Sequence, residues 1–237
     1  MIETMLFDCW GTLINAPNLM RRDASAEFIH RAITANGYEI DLSTFRDAYI
    51  EMARRQQEEA QKDFRELDYV QRIDSTLHAI GFQNPQRRVL AERAWSDYLA
   101  EWPKQSALYE ETEMLLSSIK GRYRLGLVTN FSDGPTARRV FENFGFDVVF
   151  DSLVVSGEVG FRKPNRIIFE RALSELGSKP WSTVMVGDTL EADIVGAKKM
   201  GMKAILIDAD GSQAWGAVSP DIVVKNIGEV RESLKSL

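Results

Sequence analysis

Short uninterrupted apolar runs, separated by helix-like stretches, are the feature that most constrains the fold of this chain. Strands buried on both faces of a sheet read as continuous apolar runs, without polar and apolar residues alternating. The predicted strands are MLFD (5–8), LGLVTN (125–130), VVF (148–150), TVMVGD (183–188) and AILID (204–208). Strands that alternate with helices predict a parallel sheet with right-handed crossovers, which is the doubly wound, Rossmann-like α/β class.

Amphipathic stretches lie between the later runs and predict the helices PTARRVFENFG (135–145), NRIIFERALSELG (165–177) and EADIVGAKKMG (191–201). The last two end at a glycine, a residue that commonly closes a helix. The segment 16–103 differs, because it shows helical periodicity and no strand run. It is too long for a single crossover, so we predict a helical domain at 16–103, inserted into a core built from 1–15 and 104–237.

Charge and composition exclude several classes of function. The net charge is −6 and the basic residues are scattered, so nucleic acid is not an expected partner. The single cysteine, Cys9, excludes an intrachain disulfide framework and gives no zinc motif. The start does not resemble a signal peptide, and no apolar run approaches the roughly 18 residues of a membrane helix. We therefore expect a cytoplasmic monomer or homodimer with no membrane partner.

Polar residues stand at the ends of three predicted strands. Asp8 closes the first, Thr129 and Asn130 close the second, and Asp188 closes a later one. One acid at a strand end is weak evidence, since Asp commonly forms turns and caps helices. In an open α/β sheet, however, ligands bind outside the carboxyl ends of the strands. The three ends together predict a polar pocket, with Lys163 available to neutralise part of its charge.

The motifs FDCWGTLI, LVTN, a lysine in GFRKPN and VGDTLEAD occur in this order along the chain. In nearly its whole length the sequence resembles the haloacid dehalogenase (HAD) superfamily of hydrolases. The helical insertion after the first motif is similar to the cap domain of subfamily I. The resemblance implies that Asp8 is a nucleophile that forms a covalent aspartyl intermediate. It also implies that Thr129 and Lys163 bind and neutralise the transferred group, which belongs to a small anionic substrate.

The same resemblance implies a bound Mg²⁺. Its protein ligands are the carboxylates of Asp8 and Asp188 and the main-chain carbonyl of Trp10, with Asp193 as a supporting acid behind them. Oxygen ligands that include one or two carboxylates suit Mg²⁺. Without a cation, Asp8 and Asp188 would repel each other. Asn130 and the Trp10 side chain are expected to contact the substrate.

Trp10 departs from the family pattern. Phosphatases of the family typically read DxDGT, and the second Asp acts as the general acid and base. An indole N–H donates a hydrogen bond but does not exchange its proton at useful pH. General acid–base catalysis typically contributes about 10²–10⁴-fold, so its loss must affect the reaction. The predicted metal ligand is unaffected, because any residue supplies a main-chain carbonyl.

Three interpretations of Trp10 remain open. In the first, the protein is a Mg²⁺-dependent phosphatase for acyl or aryl phosphates, whose leaving groups need no proton, or a residue such as one from the cap supplies the proton. In the second, it is a metal-independent 2-haloacid dehalogenase, since that branch carries an aromatic residue at this position and halide leaves unprotonated. In the third, it is a non-catalytic binding or regulatory protein, and Trp10 fills the pocket.

The retained acids decide between these interpretations. Dehalogenases of this type replace the acid at position 188 with a small polar residue, whereas this chain keeps Asp188. They also need a cap arginine, for which Arg21 and Arg22 are the candidates. A non-catalytic protein has little reason to keep a set of polar groups aimed at one point. We therefore expect a phosphatase-like hydrolase acting on a phosphorylated metabolite, with a haloacid as the alternative substrate.

Overall fold

The computed structural model describes residues 1–21 and 23–237 and divides the chain into two compact units. The core unit consists of Met1–Asn15 and Ser106–Leu237, and the helical unit consists of Ala16–Gln105. A short helix, Trp102–Gln105, spans the position 103/104 at which the sequence placed the second boundary. The helical unit therefore extends to Gln105.

A six-stranded parallel sheet forms the centre of the core unit. The strands of the chain are β1 (Thr4–Phe7), β2 (Ile14–Asn15), β3 (Ala107–Leu108), β4 (Arg124–Thr129), β5 (Ser152–Val155), β6 (Thr183–Gly187), β7 (Lys203–Ile207) and β8 (Ile222–Val224). The order in the sheet is β5-β4-β1-β6-β7-β8, while β2 and β3 form a separate antiparallel pair. This parallel sheet, flanked by helices, confirms the predicted α/β class.

Helices occupy both units. Those of the helical unit are α1 (Pro17–Met20), α2 (Ala24–Ala35), α3 (Leu42–Ala60), α4 (Tyr69–Ala79), α5 (Arg87–Leu99) and α6 (Trp102–Gln105). Those of the core unit are α7 (Thr112–Ile119), α8 (Gly134–Asn143), α9 (Phe146–Val149), α10 (Ser156–Val159), α11 (Arg166–Glu175), a π-helix (Leu190–Val195), α12 (Gly196–Lys199) and α13 (Val230–Ser233), with 3₁₀ turns at Pro180–Ser182, Ile227–Glu229 and Leu234–Ser236. In the described part of the chain, no helix has both the length and the apolar character needed to cross a membrane.

Strand β1 lies in the middle of the sheet, where it pairs with β4 on one side and β6 on the other. Every residue of β1 and β6 is buried, which explains why these strands read as unbroken apolar runs. One apolar cluster joins the sheet to α11 through Leu6, Met185 and Phe169, which are fully buried. The central strands are therefore fixed from both edges and from the helix layer.

Four predicted strands coincide with β1, β4, β6 and β7, but the prediction at 148–150 is wrong. Those residues belong to the end of α9 and the residue after it, and the strand begins at Ser152. Val148 is 71% exposed, whereas Phe146 and Phe150, four residues apart, are buried with their ring centroids 5.3 Å apart. Packing of Phe146 against Phe150, the residue that follows the helix, outweighs the β propensity of the valines.

Candidate active site

Asp8 stands at the carboxyl end of the central strand. Its main-chain N–H donates to the Val186 carbonyl of β6 at 2.9 Å, which continues the sheet pairing one residue beyond β1. Its carboxylate is buried at the sheet edge where the turn begins. Burial, and then the charge of Asp8, raise the pKa of the neighbouring Cys9 thiol well above its ordinary value. Cys9 therefore stays a neutral, buried thiol beside Asp8.

The glycine in this turn lets two loops approach closely. Gly11 has a φ of +94°, and a Cβ there would lie 2.2 Å from Oδ2 of Asp188. Any other residue would be strained in its backbone and would collide with that carboxylate. Next to it, the Thr12 hydroxyl donates to Oδ1 of Asp188 at 3.3 Å. The loop after β1 therefore holds Asp188, which follows β6, near Asp8.

Lys163 bridges two of the acids. Its ammonium donates to Oδ1 of Asp8 at 2.5 Å and to Oδ1 of Asp193 at 2.6 Å, and the residue is only 3% exposed. Burial alone lowers the pKa of Lys163, but the charges and hydrogen bonds of Asp193 and Asp8 outweigh it and raise the pKa above its ordinary value. Lys163 is therefore a permanent cation between two carboxylates.

Asn130 positions Lys163 through the main chain. Its Oδ1 accepts from the Lys163 N–H at 2.7 Å, and its Nδ2 donates to the Lys163 carbonyl at 3.1 Å. Both ends of the amide thus fix the loop that carries the lysine to the end of β4. This contact was not predicted from the sequence, which gave Asn130 only a substrate contact. Thr129, the last residue of β4, is buried at the same edge of the sheet.

Three carboxylates converge at this edge. Oxygen atoms of Asp8, Asp188 and Asp193 all lie within 4.8 Å of one another. Asp193 sits in the π-helix, and its Oδ2 accepts from the Thr189 N–H at 3.0 Å. A Cβ at Gly187 would lie 2.3 Å from the same oxygen, so glycine at the end of β6 makes room for this acid.

Crowding of like charges changes the protonation of the cluster. Burial, and then the charges of Asp8 and Asp193, raise the pKa of Asp188 to about 7. Burial raises the pKa of Asp193 to about 6, against the lowering effect of Lys163 and with a further rise from Asp8. If all three carboxylates ionised, their charge would exceed the single positive charge of Lys163. An all-oxygen donor set with excess negative charge can hold a hard divalent cation.

Trp10 lies in an aromatic stack beside these acids. Its ring packs on Phe131 with centroids 4.4 Å apart and planes 22° apart, and Phe141 lies 6.1 Å away. The residue is 9% exposed. The position at which the sequence lacks an acid is therefore filled by a packed indole.

Comparison with known proteins identifies the family. A family model described as haloacid dehalogenase-like hydrolase matches residues 2–201. The chain belongs to the haloacid dehalogenase-like hydrolases. This confirms the resemblance carried by the four sequence motifs.

Relatives of this HAD-like hydrolase are described as phosphatases. Glyceraldehyde 3-phosphate phosphatase of Methanothermobacter thermautotrophicus is 40% identical over 109 residues, or 45% of this chain and 47% of that protein. Pyrimidine 5'-nucleotidase YjjG of Escherichia coli is 37% identical over 122 residues, or 51% of this chain and 53% of that protein. The chain therefore spans about half the length of these two relatives.

The fold also matches solved structures along its whole length. The crystal structure of 2-haloacid dehalogenase from Pseudomonas syringae pv. Tomato DC3000 has a TM-score of 0.77 and 20% identity, covering 100% of this chain and 99% of that chain. At this identity the likeness shows the fold of the HAD-like hydrolase and carries no information about its reaction.

One further residue of the HAD-like hydrolase contacts the acidic motif and was not predicted. Nε2 of Gln213 donates to the Asp188 carbonyl at 2.8 Å, and its Oε1 accepts from the Leu190 N–H at 3.2 Å. The Gln213 N–H also donates to Oδ2 of Asp208, which follows β7, at 3.3 Å. A glutamine in a polar loop has no distinctive sequence signal, except that this loop follows a strand ending at the same edge.

Of the two arginines considered for dehalogenation, the structure describes only Arg21. Arg21 exposes 60% of its side chain and pairs with Asp23 at 3.3 Å. Arg22 lies outside the described residues. Arg21 is therefore engaged with a neighbouring acid on an exposed part of the helical unit.

Proposed function

We propose that this HAD-like hydrolase is a Mg²⁺-dependent phosphatase that cleaves phosphate esters or acyl phosphates through a covalent intermediate on Asp8. The observation that carries the proposal is the convergence of Asp8, Asp188 and Asp193 within 4.8 Å. Carbon–halogen hydrolysis has no need of such a cluster, whereas phosphoryl transfer requires charge neutralisation around the phosphorus. The phosphatases among the relatives support the same choice.

The donor set fits Mg²⁺. The carboxylates of Asp8 and Asp188 and the main-chain carbonyl of Trp10 would hold the ion, and the missing side chain of Gly11 keeps Asp188 close to the first loop. When bound, the ion supplies positive charge to the phosphoryl oxygens. Asp193 has a different task, because it holds the Lys163 ammonium at 2.6 Å.

In the first step, a carboxylate oxygen of Asp8 attacks phosphorus, and the bond from phosphorus to the leaving oxygen breaks with its electron pair. Lys163 donates to Oδ1 of Asp8 at 2.5 Å, so this contact orients the carboxylate with Oδ2 as the attacking atom. The ammonium of Lys163 and the hydroxyl of Thr129 stabilise the charge of the transferred group.

In the second step, water attacks the phosphorus of the acyl phosphate and the bond to Asp8 breaks, which releases inorganic phosphate and restores the carboxylate. The proton of the water passes to phosphate or solvent. Trp10 does not protonate the leaving group in the first step. We therefore propose substrates with weakly basic leaving groups, such as acyl and aryl phosphates, carried by a small phosphorylated molecule.

A paired turnover assay tests the proposal. One arm measures phosphate release from acetyl phosphate and p-nitrophenyl phosphate with Mg²⁺ and with EDTA. The other measures halide release from 2-chloropropionate. We expect phosphate release that EDTA abolishes. Asp8→Asn should lower it by at least about 10⁴-fold, since loss of a nucleophile costs on that scale. Asp147→Asn, at an exposed position of α9, is the matched control and should match the wild type.

Three outcomes contradict the proposal, the first two its reaction and the third its mechanism. Halide release that is unaffected by EDTA would identify a dehalogenase and make Trp10 the decisive residue. A folded protein that is inactive in both arms would support the non-catalytic interpretation. Full phosphatase turnover by Asp8→Asn would retain the activity but remove the covalent mechanism.

A further inference from the structure

Arg72 is a buried cation of the helical unit, and no carboxylate among the described residues forms an ion pair with it. It lies in α4 and is 8% exposed. Its Nε donates to Oε1 of Gln56 at 2.9 Å, which is the one side-chain hydrogen bond that the described residues give it. By contrast, Arg87 in the same unit pairs with Asp74 at 2.7 Å. A buried charge is costly when it is neither paired nor fully hydrogen-bonded.

Two aromatic rings hold the guanidinium in place. The Arg72 carbon Cζ lies 4.3 Å from the centre of the Tyr69 ring and 5.6 Å from that of Tyr49. Contact with ring faces attracts a cation and fixes the plane of the guanidinium. Rings do not satisfy its N–H groups or neutralise its charge. The contacts therefore preorganise Arg72 and leave its terminal N–H groups for an acceptor.

A buried hydroxyl, that of Tyr49, accompanies Arg72. Tyr49 is 1% exposed, and its hydroxyl has no hydrogen-bond partner within 3.5 Å among the described residues. Burial raises the pKa of Tyr49 above its ordinary value, while the nearby Arg72 charge and the Ser25 hydroxyl oppose that rise. The hydroxyl is thus a neutral donor close to the guanidinium. Buried hydroxyls are normally satisfied, so a Tyr49 hydroxyl without a partner, next to a cation that has no carboxylate partner, is informative.

We propose that Arg72 and Tyr49 form a binding site for an oxyanion in the helical unit, taking a carboxylate or phosphate group. A guanidinium presents a planar fork that matches two oxygens of such a group, and the phenol adds a third donor. One anion would satisfy both residues and neutralise the buried charge. The site uses none of the carboxylates of the core unit, so it stands independently of the proposed phosphatase activity.

The aromatic neighbours supply a reporter for this site. Trp95 stacks on Tyr69 with ring centroids 4.6 Å apart and planes 6° apart, and Tyr69 is the ring closest to the guanidinium. An anion that neutralises the Arg72 charge changes the electrostatic field at the stacked rings of Tyr69 and Trp95. Tryptophan fluorescence is therefore expected to follow occupancy.

The test is titration of the full chain with inorganic phosphate, and separately with acetate, by calorimetry and fluorescence at constant ionic strength. The protein is first freed of metal with EDTA and then dialysed into chelator-free, metal-free buffer, so that the acidic cluster of the core unit repels anions and no chelator competes for the site. We expect saturable binding whose stoichiometry falls by one in Arg72→Met. Arg88→Met, an exposed position paired with Glu92, is the matched control and should bind like the wild type. Tyr49→Phe, which deletes only the hydroxyl, should weaken binding about 2–10-fold.

The two titrations separate the possible sources of the anion. Saturation by phosphate alone assigns the site to a phosphate group, and saturation by acetate assigns it to a carboxylate. Binding that is absent in the wild type, or identical in the wild type and Arg72→Met, would overturn the proposal. If Arg72→Met does not fold, Arg72→Lys and Tyr49→Phe decide: unchanged affinity in both would overturn it, and weaker binding in both supports it.

Discussion

At the position where related phosphatases carry a second acid, Trp10 stacks on Phe131 with ring centroids 4.4 Å apart. The indole does more than omit a carboxylate, because its packing fills the space that the acid would occupy. Restoring the acid therefore changes both chemistry and packing. The two effects are separable, since an apolar truncation changes only the packing.

Trp10→Asp should raise kcat/KM for alkyl phosphates, whose leaving groups need a proton, by at least about tenfold over Trp10→Ala. Both variants create a similar cavity, and truncating a buried tryptophan typically costs about 3–5 kcal/mol. Rates are therefore compared below the melting temperatures of both. Equal rates in the two variants would mean that the new carboxylate does not reach the leaving oxygen.

At the level of secondary structure, the candidate site is formed by the loops that follow the carboxyl ends of the strands. The loop after β1 contributes Asp8 and Gly11, the loop after β6 contributes Asp188, and the loop after β7 contributes Gln213. The Gln213 side chain links its loop to the loop after β6, because it hydrogen bonds the Asp188 carbonyl and the Leu190 N–H. Among the described residues it hydrogen bonds no carboxylate of the cluster, so it acts by positioning the main chain.

Gln213→Ala should raise the Mg²⁺ concentration needed for half-maximal activity by about tenfold, because residues that orient metal ligands commonly affect metal affinity on this scale. The turnover number at saturating Mg²⁺ should stay near that of the wild type. Ser212→Ala in the same loop is the control. A loss of kcat that excess Mg²⁺ does not restore would argue against a positioning role.

Strands with a strong local pattern could be predicted from the sequence. Contacts between side chains of separate loops could not, because no local pattern marks them. Buried strands such as Thr183–Gly187 are recognisable in the sequence as continuous apolar runs. The short edge strand Ile222–Val224 does not, because three residues carry too little pattern. The acids at strand ends were found from topology alone. The hydrogen bonds of the Asn130 amide to the Lys163 main chain were not predicted, because they depend on where two separate loops meet.

For the whole molecule, the acidic cluster makes stability depend on pH. In the metal-free protein the pKa values of Asp188 and Asp193 are raised to about 7 and about 6, from an ordinary value of 3.8. Between these limits the folded state keeps protons that the unfolded state releases. The free energy of unfolding therefore falls as pH rises from about 4 to about 7, and this contribution levels off above that.

Urea unfolding in EDTA at several pH values measures the effect. The fall in stability between pH 5 and pH 7.5 should be smaller in Asp188→Asn, which cannot ionise at that position. If the free energy of unfolding depends on pH identically in the wild type and the variant, the acidic cluster does not control that dependence.

Mg²⁺ should raise the melting temperature of the wild type, because a ligand bound only by the folded state stabilises it by about 2.7 kcal/mol at 100 times its Kd. The increase should be greater at pH 8 than at pH 5, since protons compete for the same carboxylates. Asp188→Asn should show little increase. Equal shifts in the wild type and the variant would place the ion elsewhere.

The central position of β1 also determines when this strand can pair during synthesis of the chain. The strand that ends before Asp8 pairs with Arg124–Thr129 and Thr183–Gly187, both far downstream. At ribosomal rates of about 5–20 residues per second, it waits on the order of ten seconds for either partner. Residues 16–105 form their own compact unit from local contacts and need not wait. Strand β1 is thus made before both of its partners and is paired late, and a nascent chain has no assembled active site until β6 emerges.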